Sequence, residues 1–481
     1  MKNILKKYTA FILLLAVTFS CSNDLDKYSF NPNDPEAVTP DLLLTVMEVG
    51  TFSVYTGNHT RISSLFSQHI AGTSEGQFGQ YSNYNVTEQT IENEWGTTYE
   101  NTIGPGTVII TDFAEGYDYY NGIAKILLAF NFGVATDLWG DIPFTEAGQI
   151  LGGISDPNYD SQETVINGIQ TLLDEGIALL SNPNAANDLT PGADDLIFGG
   201  DTAKWISAAY VLKARYALRT ALRDASGYDS ALSYITSANL TGNSNDMNAV
   251  FPNSGGNSKN QWKDFEDNRA NYIKMGGFFV DLMKNISDPR LPYFATKDQS
   301  GGYSGNALGD INTTSTSKVG PAISSNTVPI GLVTYVEAKF MQAEIYKRKN
   351  MDVEAKAALK AALEASIDKM ETLKTYFEGA DASIPSITTV ERDAFVTAQT
   401  ADPMVTLQNI MHHKYIALFS SIEPYNDFRR TGFPALTPNP NAVNNITVVP
   451  VRFPTASTER LYNNNAIVED DITVPVWWDV N

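Results

Sequence analysis

The chain has 481 residues, 43% hydrophobic and 18% charged, with a net charge of −22 at neutral pH. Binding to nucleic acid needs clustered Lys and Arg; the body of this acidic chain has no basic run, which excludes that class of partner. A single cysteine leaves no disulfide to form within the chain, so a hydrophobic core must carry the fold, which this length allows.

The N-terminus carries Lys2, Lys6 and Lys7, then the apolar run Ala10-Phe11-Ile12-Leu13-Leu14-Leu15-Ala16-Val17, then Thr18-Phe19-Ser20 before Cys21. A basic start, a short apolar stretch and a small residue before the cut define an export signal, too short to span a bilayer as a mature helix. With cysteine directly after the cut, residues 1–20 read as a lipoprotein signal and Cys21 as the lipidation site. Thr18 stands where such signals usually carry leucine. Several acyl chains on one residue anchor firmly where one alone would hold weakly. Removing residues 1–20 takes away three lysines and no acid, leaving the mature chain three charges more negative. Residues 21–39, acidic and then rich in Asn and Pro, read as a solvated, extended tether. The body is expected from 40 to 481 as one large domain, since no linker rich in Pro, Gly or Ser divides it.

In chain order, apolar stripes at helical spacing run through 42–54, 90–113, 122–135, 165–180, 202–223, 335–347 and 405–419. In 202–223 the stripe is Trp205, Ala208, Ala209, Leu212, Tyr216 and Leu222, and Asp201 or Thr202 can cap its start. Strand-like alternation is rare and short, as at 446–451, so the expected fold class is mostly α. Ala343, Tyr346, Ala355, Leu359 and Ala362 stand at the intervals of a tetratricopeptide helix pair, with the turn near 349–352. The stretch 202–240, with Ala231, Ile235 and Ala238 in its second helix, is a looser relative. The scaffold is thus a few degenerate helical hairpins. Two long polar segments, 73–84 and 239–272, interrupt it. Their glycines and amides punctuated by aromatics suit a recognition surface, because a disordered stretch has few aromatics.

The inventory for catalysis is thin. The histidines are His59, His69, His412 and His413; the last two, adjacent on a helix, point about 100° apart and cannot face one metal together. No HExxH or cysteine cluster, no GxSxG elbow and no phosphate or dinucleotide loop occurs, so neither metal nor cofactor is expected. A glycosidase needs two carboxyls within about 5–10 Å across a cleft, a pairing that spacing in sequence does not reveal.

Four motifs spread through the body carry a resemblance. They are Thr136-Asp137-Leu138-Trp139-Gly140-Asp141-Ile142-Pro143-Phe144-Thr145-Glu146-Ala147; Asp288-Pro289-Arg290-Leu291; Arg429-Arg430-Thr431-Gly432-Phe433-Pro434; and Arg452-Phe453-Pro454-Thr455 with Glu459 and the terminal Trp477-Trp478-Asp479. In this order, after a lipobox, they resemble the SusD/RagB family of nutrient-binding outer-membrane lipoproteins, in its SusD-like branch. Each motif also has a framework reading: Trp139, Gly140 and Pro143 seal and turn a helix end, and the arginines are guanidinium forks for carboxylates or carbonyls.

The resemblance implies a non-catalytic surface lipoprotein of the outer membrane. Such a protein binds an oligomeric nutrient, usually a glycan, and delivers it to a SusC-like TonB-dependent transporter. It further implies ligand contacts from an early loop, here Phe78, Tyr81, Asn83 and Tyr84, and from mid-chain, here Trp262, Phe265, Asn268, Tyr272 and Tyr303. Aromatic faces suit the C–H face of a sugar, and amides suit its hydroxyls. Trp262 offers the largest ring and is expected to be the central platform. The rival readings are a surface-anchored glycoside hydrolase and an adaptor that binds protein through its helical repeats.

Overall fold

The computed structural model describes residues 38–253, 258–377 and 384–481; Cys21 and the tether up to residue 37 lie outside the described residues. The fold is mostly α, a single helical domain. The body opens with helix Pro40–Thr56, with proline in its first turn, where a missing N–H costs nothing. The stripe at 122–135 is the heart of helix Asp118–Trp139. That helix is apolar and long enough to cross a membrane, yet nearly all of it is buried inside the protein. It is a core helix, packed along Gln162–Ser181.

Both helical hairpins are present. Thr202–Arg219, capped by the Asp201 carboxylate on the Ala203 and Lys204 amides, packs on Ser226–Ser237. Tyr335–Arg348 packs on Asp352–Lys374 across the turn expected there. Ala343, Ala355, Leu359 and Ala362 are sealed at the second crossing, where small residues let the two backbones approach.

Two expectations change. The stripe at 90–113 is not one helix but Glu92–Thr98, a wide π turn at Tyr99–Ile103, and Gly104–Asp112. Pro105 has no N–H to give, and its ring would crowd the Asn101 carbonyl in a regular helix. The alternation at 446–451 makes no strand: its burial does not alternate, Pro450 cannot join a ladder, and Val451 N donates to Ile472 O at 2.8 Å. The strands that do form are short antiparallel pairs, Ile70–Gly72 with Ile273–Met275, Ile142–Pro143 with Tyr159–Asp160, and Met247–Ala249 with Ile330–Val333.

The four motifs are framework. Gly140 ends helix Asp118–Trp139 at φ +84°, a conformation that favours glycine. Beside it the indole of Trp139 donates to Pro454 O at 2.9 Å, and Phe453 N donates to Leu138 O at 2.8 Å. The Trp139 ring meets Trp95, His59 and Phe453 edge-on at 5.1, 5.5 and 5.5 Å. Arg452 donates to Trp139 O. Arg290 is bound to Asp288 in its own motif and to Ser366 at 2.6 Å.

Arg430 grips Glu344 with two hydrogen bonds of 2.6 Å, and both residues are buried. Asp427 bridges Arg430 and Lys414, each at 2.8 Å. Arg219 joins Asp137 at 3.1 Å to Glu423 at 2.7 Å. Burial pushes the Glu423 carboxyl up, but Arg219 and Arg215 outweigh it and hold it down to about 2. The Trp478 ring lies beneath Arg219 at 5.2 Å and Arg429 at 4.6 Å, and its backbone N–H donates to Gln162 Oε1 at 3.1 Å.

Candidate functional site

Pairing of Ile70–Gly72 with Ile273–Met275, Ile70 opposite Met275, lays the early loop beside the mid-chain loop two hundred residues later. Thr73 N donates to Tyr272 O at 2.9 Å, and Ser74 N donates to Ile311 O at 2.7 Å. Asn306 closes the seam from the third segment: Gly277 N donates to its carbonyl at 2.8 Å, and its own N–H donates to Met275 O at 2.9 Å. The segments holding Phe78 to Tyr84, Trp262 to Tyr272, and Tyr303 therefore share one surface.

Within it the aromatics divide by exposure. Residues 77–82 form a short helix, which turns Phe78 inward and leaves Tyr81 half-buried at the surface. Phe78 meets the Phe265 ring at 5.0 Å and Tyr81 at 5.2 Å, both edge-on. Phe265, in helix Gln261–Asn268, also packs against Tyr272 at 6.3 Å. Tyr84 is buried, and its hydroxyl accepts from Asn439 N at 2.9 Å. The Asn439 side chain donates to Ser82 O at 2.6 Å and Asn83 Oδ1 at 3.1 Å, tying the early loop to the C-terminal region.

Trp262 is corrected from platform to core. It is 1% exposed, edge-on to Phe419 at 5.8 Å, with the Arg61 guanidinium 6.0 Å from its ring centre. Asn260 caps the helix start through the Trp262 amide, and the following turn brings Trp262 and Phe265 onto one inward stripe. Phe78, Phe265 and Tyr84 likewise have no free face. Their rings hold the loops in place. Tyr81, Asn83, Tyr272 and Tyr303 are half-buried and Asn268 is exposed, so these make the outward surface. Tyr272 is seated by Gly76: a Cβ there would stand 2.2 Å from its ring.

Sequence reasoning missed three neighbours of this surface. Arg269, Asn271 and Lys318 line, with Trp262, Glu266 and Ser324, a dimple of about 10 Å³. Arg269 and Asn271 sit between two residues already singled out, Asn268 and Tyr272; Lys318 has no local signal in the sequence.

A larger polar cleft of about 750 Å³ adjoins Tyr84, walled by 85–89, 444–448 and 470–473. Its carboxylates are engaged: Arg460 bridges Glu88 and Asp470, and Asp471 accepts from the Thr473 amide and hydroxyl at 2.9 and 2.6 Å. Among the described residues no cluster of three or more His, Cys, Asp or Glu is arranged to hold a metal ion. His59, His69 and His413 are core residues, and burial lowers the imidazole of each to about 3.

Residues 32–454 match the SusD-like family described as "Starch-binding associating with outer membrane". The chain belongs to this family. It is a SusD-type nutrient-binding protein of a family associated with the outer membrane. No curated protein matches it. Among solved structures, a SusD/RagB family protein from Bacteroides thetaiotaomicron shares 24% identity, covers 92% of this chain and 99% of its own, and superposes with a TM-score of 0.78. A chitin-binding protein matches at 23% identity over 92% of this chain and 100% of its own, TM-score 0.78. A chitin-binding SusD homolog from Flavobacterium johnsoniae matches at 22% identity over 90% and 99%, TM-score 0.71. At these identities the likeness establishes the SusD-like fold.

Proposed function

We propose that this SusD-like protein is a non-catalytic, lipid-anchored binder at the cell surface. It captures an oligomeric nutrient, a glycan, on the three-loop surface and passes it to a SusC-like TonB-dependent transporter. The observation that carries the reading is the convergence of Tyr81, Asn83, Tyr272 and Tyr303 from three distant segments onto one rigidly backed surface. Aromatic rings for sugar faces stand there beside amides for hydroxyls, on loops fixed from behind by Phe78 and Phe265. Two of the structural relatives are described as chitin-binding, which makes chitin oligosaccharides a first probe.

Truncating a central aromatic anchor costs about 2 kcal/mol in binding. Tyr81→Ala and Tyr272→Ala should each weaken binding to a captured polysaccharide by about tenfold or more, measured by calorimetry, with the melting temperature nearly unchanged. Trp262→Ala should instead lower the melting temperature. Wild-type affinity in both tyrosine variants would move the ligand site elsewhere, and release of reducing sugar from any polysaccharide would favour a hydrolase.

Anchoring through Cys21 predicts that Cys21→Ala shifts the protein from the membrane fraction to the soluble fraction. A variant that stays with the membrane, or a wild type shielded from protease added to intact cells, refutes the surface-anchored form. For the partner, mild-detergent extraction should co-purify a large β-barrel protein in constant ratio, as an interface of obligate size requires. Recovery as free monomer across several detergents would refute the pairing.

A further inference from the structure

We propose that the dimple beside Tyr272 is an anion subsite, taking the carboxylate of a uronic acid unit through Arg269, Lys318 and the indole N–H of Trp262. The proposal rests on the glycan-binding reading and specifies the class of glycan.

Of the donors lining the dimple, the Trp262 indole N–H and the Arg269 guanidinium have no acceptor among the described residues, and Lys318 is shared with Glu266. Trp262 Nε1 is buried and has no hydrogen-bond acceptor among the described residues. Arg269 is exposed; its guanidinium stands 5.6 Å from the Phe265 ring centre and makes no ion pair with a described carboxylate. The Asn271 side-chain oxygen accepts from Lys274 at 3.0 Å, which leaves its amide N–H groups as donors. The one carboxylate in the lining, Glu266, is occupied by Lys318 at 3.1 Å and Ser324 at 2.9 Å.

Charge points the same way. In a chain of net charge −22, the lining of the dimple holds two cations, Arg269 and Lys318, against the single carboxylate of Glu266. A lining with more donors than acceptors favours an acceptor-only group. An ionised carboxylate is acceptor-only and matches a guanidinium fork in shape. The dimple, at about 10 Å³, is the size of a single oxygen or water. It would therefore take one carboxylate oxygen while the sugar ring stays outside near Tyr272.

The test is calorimetric titration of the full mature protein in detergent with oligogalacturonate, alginate oligomers, the same oligogalacturonate after carboxyl reduction, and chitin oligosaccharides. An acidic oligomer should bind at least about tenfold tighter than its carboxyl-reduced form, the scale of a charge-assisted hydrogen bond, and should weaken as salt rises. Arg269→Gln should abolish that preference while leaving affinity for the reduced form unchanged. Trp262→Phe, which removes the N–H together with part of the buried ring, should narrow it, with the melting temperature measured alongside. Equal affinity for acidic and reduced oligomers, or a preference that survives in the Arg269→Gln/Lys318→Gln double variant, overturns the proposal. If only neutral glycans bind, and lose affinity in Tyr81→Ala, the anion subsite fails and the glycan reading stands. If no glycan of either kind binds, both fail.

Discussion

Glu344→Ala should lower the melting temperature more than Tyr81→Ala or Tyr272→Ala on the ligand-facing surface. Glu344 takes both arms of Arg430 at 2.6 Å and the Nε of Arg348 at 2.9 Å. Burial alone would push its carboxyl up, but Arg430, Arg348 and Lys414 outweigh that and hold it well below the usual range, so the group is an anion in the folded protein. Deleting it leaves Arg430 sealed from water with only Asp427, which Lys414 also claims. Breaking a buried pair from one side costs about 3–5 kcal/mol. For a chain of this length each kcal/mol is about 1 °C, by the scaling of unfolding entropy with size, so a fall of about 3–5 °C is expected in calorimetry. The double variant Glu344→Leu/Arg430→Met removes both charges and should recover part of the loss. A single variant that melts within 1 °C of the wild type would show that the pair contributes little.

The second large effect is expected at Trp139. Its ring is enclosed by Trp95, His59 and Phe453, and its N–H is bound to Pro454 O at 2.9 Å. Trp139→Ala removes one of the two tryptophans of that junction and orphans a carbonyl, for about 3–5 kcal/mol. Trp139→Phe keeps part of the packing and should cost less. Binding measured well below the melting temperature should stay near wild type, because the loops that carry Tyr81 and Tyr272 are held by other contacts. A Trp139→Ala variant that melts normally but no longer binds would reverse these roles and place Trp139 at the ligand.

The helical scaffold was legible because its signal is local and repeated. Ala343, Ala355, Leu359 and Ala362 recur at intervals that only a helix pair can bury, and all are sealed. The site was legible as composition and not as orientation. Residues 73–84 read as a polar loop, yet 77–82 close into a helical turn, which puts Phe78 and Tyr81 on different sides. Trp262 looked like a platform because it is large and lies in an amide-rich stretch. Asn260, a capping residue two positions earlier, and the three-residue step from Trp262 to Phe265 were the marks of a short helix with an inward face. Lys318 was out of reach, since it meets Glu266 only through tertiary contact at 3.1 Å.

The seal over Leu138-Trp139 also has a bearing on when the chain can fold. Phe453, Pro454 and Trp478 close a core whose other wall is made more than three hundred residues earlier. As the chain emerges from the ribosome, Arg219 waits for Glu423 and Trp139 for Phe453 and Pro454. Contacts so far apart in sequence form slowly. Final consolidation of the core falls to its C-terminal segment.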